Sequence, residues 1–276
     1  MKPYLKNQIV PIILTVVTFV AMVGLLWLEV IAINLFASEK IHIQVRPADI
    51  LVGLTIYLKT SIDFAILIGR LMDKNPGLKG RIGIEIGTAV GNAAGTFAIL
   101  LLWALFKEIT WLLALMIIIS ALVLVRLAQD SLDHVDAKNP GYPRWLLLFI
   151  RNFERTLRTT NRIFEPFLSR ILPGHGLKVQ TKATFMGLLA MSFTVPFILG
   201  LDDFAGYVPL FNVVNVFGFA IGVFAGHMIL NIFLYISPKR TIKIVKNPII
   251  SLLGSIAFIG LAAWGLYEAF HLLFGH

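Results

Sequence analysis

Seven stretches of this chain stay apolar over lengths that only a lipid bilayer rewards. They cover residues 9–36, 50–72, 82–106, 110–125, 183–204, 213–236 and 249–274. A bilayer core takes about 20 apolar residues per helix. Of the 276 residues, 58% are apolar and 14% charged, and the mean hydropathy is +0.84. A soluble core of this size needs far less apolar surface. The expected fold class is therefore an all-α membrane protein of seven transmembrane helices. Lys2 and Lys6 precede the first run as they would in a signal peptide. That run exceeds the roughly 7–15 residues of a signal h-region, so it reads as a retained span.

The basic residues lie between the apolar stretches, where the positive-inside rule puts them. Lys2 and Lys6 mark the N-terminus; Arg70, Lys74, Lys79 and Arg81 mark the second connection. The fourth connection is long and Arg-rich, and the sixth holds Lys239, Arg240, Lys243 and Lys246. The odd connections are poorer, with Lys40 and Arg46 in the first, Lys107 in the third and none in the fifth. The N-terminus is thus expected in the cytoplasm and the C-terminus outside, in a bacterial inner membrane. The net charge of +9 is explained by these loops, so no nucleic-acid partner is expected. The chain has no cysteine, which excludes disulfides, thiolate metal sites and cysteine nucleophiles.

Two segments repeat. Thr60-Ser61-Ile62-Asp63-Phe64-Ala65 precedes a helix with Gly83, Gly87, Gly91 and Gly95 at four-residue steps. Asp202-Asp203-Phe204-Ala205 precedes one with Gly218, Gly222 and Gly226. Each unit spans three helices, an odd number, so the two point oppositely and are expected as inverted repeats. The organisation expected is an N-terminal helix and external loop over 1–47, repeat one over 48–127, a cytoplasmic connector over 128–182 and repeat two over 183–276. A glycine every four residues leaves a bare stripe on which a neighbouring helix packs closely.

In the connector, Leu146, Phe149, Phe153, Leu157, Thr160, Phe164 and Leu168 recur at helical steps. Arg144, Arg151, Arg155, Arg158, Arg162 and Arg170 fill the other face. This predicts an amphipathic helix on anionic lipid headgroups, kinked or ended at Pro166. Asp130, Asp133, His134 and Asp136 before it read as a solvated loop start, or as a cation-collecting vestibule.

Polar groups inside a bilayer are expensive and need a reason. Asp63, Asp202, Asp203, Asn92, His227, Glu85, Ser61 and Asn231 are the candidate ion-binding residues. If the repeats face each other, Asp63, Asp203, Asn92 and His227 converge, with Asp63, Asp203 and His227 as metal ligands. Two carboxylates, an amide and an imidazole suit a divalent ion such as Mn²⁺ or Ca²⁺. Each residue also has a plainer reading. Lys59 and Asp63 at i and i+4 neutralise each other. Asp202 and Asp203 face the external solvent. His227 is a hydrogen-bonded core histidine, and Glu85 caps its helix or pairs with Arg81. Pro196 and Gly200 predict a kink or break in span five.

The Thr60-Ser61-Ile62-Asp63 motif and Asp203-Phe204-Ala205-Gly206-Tyr207-Val208-Pro209-Leu210-Phe211 resemble the paired motifs of the cadmium-resistance transporter family. That family belongs to the lysine exporter superfamily with its TerC-like branch. Phe64 and Phe204 stand where that family has asparagine. The resemblance implies a three-plus-three transporter. The expected function is a secondary transporter that exports a divalent cation in exchange for protons. It is no enzyme and has no resident cofactor, and a homodimer is compatible with it. Two alternatives are a non-transporting scaffold held by the Arg-rich helix and an intramembrane lipid enzyme. The second lacks support, because neither HExxH nor GxSxG occurs.

Overall fold

The computed structural model describes residues 3–133, 135, 141–171, 184–205, 207–211 and 213–274; within these, side chains are described except at 3–7, 167–171 and 198–205. Among these described residues ten α-helices follow in order: α1 Pro3–Ile33, α2 Pro47–Thr60, α3 Ile62–Lys74, α4 Leu78–Phe106, α5 Thr110–Asp133, α6 Arg144–Ile171, α7 Phe185–Ala205, α8 Val216–Ile236, α9 Pro238–Val245 and α10 Pro248–Phe274. A short 3-10 turn, Val208–Leu210, precedes α8. No strand occurs among the described residues.

Among the described residues five helices, α1, α4, α5, α8 and α10, are long and apolar enough to cross a membrane. The pair α2 and α3 makes a sixth candidate if counted as one bent span. The described apolar part of α7, Phe185–Phe197, is shorter than a full span. Val20, Trp111, Leu253 and Phe270 are among many large apolar side chains left exposed on the outside of the bundle. In water such a surface is a liability, whereas acyl chains cover it at no cost. The chain is a multi-pass membrane protein.

The continuous span expected over 50–72 is instead two helices, meeting at Ser61 with a bend of 65°. No proline or glycine sits there. Thr60 donates its hydroxyl back to the Tyr57 carbonyl at 3.1 Å, and Tyr207 bonds to the same hydroxyl. Hydroxyl side chains that bond to the preceding turn bend helices. Lys59 and Asp63 thus belong to different helices and do not share an unbroken i, i+4 face. Lys59 lies along α10, its Cδ 3.7 Å from the place a Cβ would take on Gly254.

α5 runs on to Asp133, past the expected end at residue 125. α7 is helical across Pro196, and α6 across Pro166. Neither helix ends at its proline. Pro196 packs toward Gly91 of α4, whose added Cβ would come within 2.8 Å of the proline Cγ.

Both glycine ladders are packing seams. α4 lies on α7, where a Cβ at Gly87 would come 2.6 Å from the Leu189 carbonyl oxygen. α8 lies on α2, where a Cβ at Gly222 would come 2.9 Å from backbone atoms of Ile50 and Leu54. Gly53 on α2 faces back to α8 in the same manner, toward Phe219 and Val223. The third large interface joins α5 to α10. α1 packs on α4 and α8, and α6 on α5 through buried Ile150 and Leu157. Asn161 of α6 donates to Gln129 at 2.8 Å.

Candidate functional site: a buried polar network

α1 packs on both α4 and α8, which also touch each other, and this brings two polar stripes together. On α4, Arg81, Glu85, Thr88 and Asn92 follow each other at three- and four-residue steps, so they share one face. On α8, His227, Asn231 and Tyr235 follow each other at four-residue steps, one residue out of phase with the glycine ladder. Glu85, Thr88, His227, Asn231 and Tyr235 are fully buried.

Glu85 is the hub. One carboxylate oxygen accepts from the Thr18 hydroxyl of α1 at 2.8 Å. The other accepts from Asn231 Nδ2 at 3.0 Å and from the Tyr235 hydroxyl at 3.0 Å. Asn231 Nδ2 also lies 3.2 Å from Thr88 Oγ1 and 3.2 Å from His227 Nε2. An amide nitrogen carries two protons, so it serves two of these three acceptors at a time. His227 Nδ1 lies 2.8 Å from the Tyr57 hydroxyl of α2. When Asn231 donates to Nε2, the ring proton sits on Nδ1 and is donated to Tyr57; in the other tautomer the Tyr57 hydroxyl donates to Nδ1. The Phe64 ring packs 5.3 Å from the imidazole. Arg81 donates to the Tyr235 carbonyl at 3.0 Å.

The hydroxyls around Glu85 have second acceptors. Thr18 Oγ1 is 3.0 Å from the Thr15 carbonyl, and Tyr235 OH is 3.1 Å from the Arg81 carbonyl. A hydroxyl has one proton. Beside a charged carboxylate, both protons point at Glu85. Beside a protonated one, either hydroxyl can swing to its backbone carbonyl and accept from the acid. The site therefore keeps its hydrogen bonds in both protonation states by rotating O–H groups, without moving a helix.

Of the residues expected from the sequence, the structure brings Glu85, His227 and Asn231 together. Glu85 does not cap α4: it lies two turns inside the helix. Asn92 is buried on the same face, its Nδ2 without a hydrogen-bond partner. Ser61 is buried at the bend, its Oγ also without one. Asp63 sits elsewhere. It lines a cavity of about 430 Å³ with Arg70, Arg126, Asp130 and Asp133, in which Arg126 pairs with Asp130 at 3.8 Å. Successive helical residues are turned by about 100°, so with Phe64 against His227, its neighbour Asp63 points away. The side chains of Asp202 and Asp203 lie outside the described residues, as do His134 and Asp136. The convergence of Asp63 with His227 is not found, and no group of three or more His, Asp or Glu is placed to hold a metal ion among the described residues.

Tyr57, Tyr235, Thr18 and Thr88 were missed by the sequence reading. Tyr235 had a signal, the four-residue step from His227 through Asn231. Tyr57 and Thr18 had none, because nothing local says which helix will face α8 or α4.

At one end of the bundle, a second cavity of about 380 Å³ is lined by Glu39, His42, Trp103, Lys107 and Asn215, among others. Lys107 donates to the Glu39 carbonyl at 2.6 Å and lies 4.9 Å from the Trp103 ring centre. Burial holds its ammonium below the usual lysine value, opposed by Glu39 and Glu108.

No family model matches this chain, and no curated protein and no solved structure matches it either.

Proposed function

We propose that this protein is a proton-coupled secondary transporter of cations, in which Glu85 carries the proton. The observation that carries the reading is the buried Glu85–Asn231–His227–Tyr57 network. It ties α4, α8 and α2 together, reaches α1 through Thr18, and accommodates the carboxyl in both charge states. Ionisable groups inside membrane bundles mark ion and proton pathways.

The architecture we infer is an added N-terminal helix plus two inverted three-helix repeats, seven spans in all. Repeat one is α2 with α3, α4 and α5; repeat two is α7, α8 and α10. The packing supports this. The first helix of each repeat lies against the second helix of the other, α2 on α8 and α7 on α4, while the third helices, α5 and α10, pair with each other. A pseudo-two-fold axis in the membrane plane generates this pattern. The two motif segments also meet, since Tyr207 bonds to Thr60. Inverted repeats place substrate at their interface near mid-depth.

The N-terminus lies in the cytoplasm on this reading, and α6 rests on the inner leaflet. Trp145, Leu148, Phe149 and Ile163 of α6 are exposed apolar side chains, and Arg144, Arg151, Arg155 and Arg162 are exposed beside them. A lipid interface satisfies both sets.

The divalent cation implied by the family resemblance is the first cargo to test. Glu85, His227 and Asn231 offer it a carboxylate, an imidazole and an amide, a hard-to-borderline donor set. The experiment is reconstitution into liposomes loaded with a pH-sensitive dye, followed by an imposed Mn²⁺ or Cd²⁺ gradient. Flux of protons against the metal is expected, and Glu85→Gln abolishes the proton movement while thermal unfolding stays near that of the parent. Equal proton flux in the parent and in E85Q sinks the reading. A chain that carries neither metal nor protons is the non-transporting scaffold.

A further inference from the structure

A second buried acid lies outside the network. Glu29 of α1 is only 8% exposed, and its Oε1 has no hydrogen-bond partner. It lines a groove of about 550 Å³ between α1 and α4, whose other walls include Met22, Ala89, Ala93, Phe97 and Phe224. Thr18 is the other side chain there with a polar atom. Among the described residues no lysine, arginine or histidine lines the groove, so none of these wall residues neutralises the carboxyl. The volume falls within the range of small-molecule sites.

The groove opens sideways. Leu25, Leu28 and Val90 on its rim are all more than half exposed, on surface that lies against acyl chains in a membrane. A ligand would enter from the lipid rather than from water. Glu29 and Thr18 are eleven residues apart on α1, roughly 16 Å at 1.5 Å per residue, so the groove has the length of a medium alkyl chain.

The wall chemistry selects the occupant. A plain acyl chain covers the apolar walls and leaves the carboxyl of Glu29 unsatisfied, which is costly in hydrocarbon. A hydrated metal ion loses its water against alanine and phenylalanine walls. A molecule with one ammonium group and an apolar tail satisfies both, through a charge-assisted hydrogen bond at one end and burial along the rest. We propose that this groove binds a lipophilic primary amine from within the bilayer, with its ammonium on Glu29 and its tail along Met22, Ala93 and Phe97. Thr18 lies in the groove wall while its hydroxyl bonds to Glu85, so an occupant touches a residue of the buried network. The proposal concerns equilibrium binding and stands apart from the transport cycle.

The test uses the full chain in phosphatidylcholine nanodiscs with tritiated dodecylamine, read by scintillation proximity with no ion gradient. Saturable binding is expected. Glu29→Gln weakens it about tenfold or more, the share of a hydrogen bond to a charged group. Ala93→Phe, which fills the groove and leaves the acid in place, weakens it similarly. Dodecanol, with the same tail and no charge, fails to displace the amine at equal concentration. Displacement by dodecanol as good as by the amine means a lipid chain fills the groove, and the proposal falls. It also falls if binding does not saturate, or if E29Q and A93F both bind as the parent does. Should E29Q fold poorly, A93F and the dodecanol competition decide.

Discussion

Replacing Gly222 by alanine drives a methyl group into the backbone of α2. The new carbon would lie 2.9 Å from both the Ile50 carbonyl carbon and the Leu54 nitrogen, and closer still to the Ile50 oxygen. These are main-chain atoms inside a helix, so no side chain can rotate out of the way. Ordinary contact between such atoms needs about 3.5 Å or more, so α8 must withdraw by about 1 Å along this seam. Overpacking of this kind costs about 1–3 kcal/mol. The same shift reaches the buried polar network. His227 lies five residues on, and its Nδ1 is held 2.8 Å from Tyr57 on the helix being pushed away. A withdrawal of about 1 Å takes that pair past hydrogen-bond reach. The assay is thermal unfolding in detergent followed by circular dichroism, together with proton flux in liposomes. Gly222→Ala is expected to lower the midpoint by several degrees and to cut flux strongly. Gly260→Ala on α10 is the control, because nothing lies within 4 Å of its would-be Cβ, and it is expected to be neutral or slightly stabilising through helix propensity. Equal midpoints for the two variants would refute the seam, and a destabilised Gly222→Ala with full flux would refute its link to the network.

Other predictions follow from the same contacts. Tyr57→Phe removes the oxygen beside His227 and should slow proton flux at least tenfold while costing no more than about 1.7 kcal/mol of stability, the upper end for interhelical hydrogen bonds in membranes; unchanged flux counts against a part for the Tyr57–His227 contact in transport. Asn231→Leu strips the donor from Glu85 and His227 together, so it should cost more stability than Tyr57→Phe, and matching unfolding midpoints would place the network's centre elsewhere. Thr60→Val removes the bond between Thr60 and the Tyr207 hydroxyl at the α2–α3 bend and is expected to lower stability by about 1 kcal/mol, measured by thermal unfolding. Changing Arg151, Arg155 and Arg162 together to glutamine should weaken the hold of α6 on anionic vesicles by about 1 kcal/mol per residue. Spin labels on α6 would report this as a loss of lipid contact, seen with anionic and not with neutral lipid.

Much of the organisation was legible in one dimension. Apolar length and mean hydropathy set the class, since bilayer thickness fixes how many residues a span needs. The glycine steps announced two close helix seams, because a bare stripe on a helix has few other uses in lipid. His227, Asn231 and Glu85 stood out as polar groups in apolar surroundings, and all three lie in the buried network. The bend at Ser61 was not legible. It depends on a tyrosine more than a hundred residues away, and no proline or glycine marks it. Nor could the sequence say that Asp63 turns toward Arg126 and Asp130 while its neighbour Phe64 takes the place against His227. A motif fixes which residues are near each other along a helix, whereas the helix's rotation is fixed by what packs against it. Tyr57 and Thr18 became partners of the polar stripes only because α2 and α1 were the helices that came to lie there. Membrane class and seams follow from local periodicity, which the chain carries everywhere. The acid's partners follow from which helices meet, and that is decided by the packing of the whole bundle.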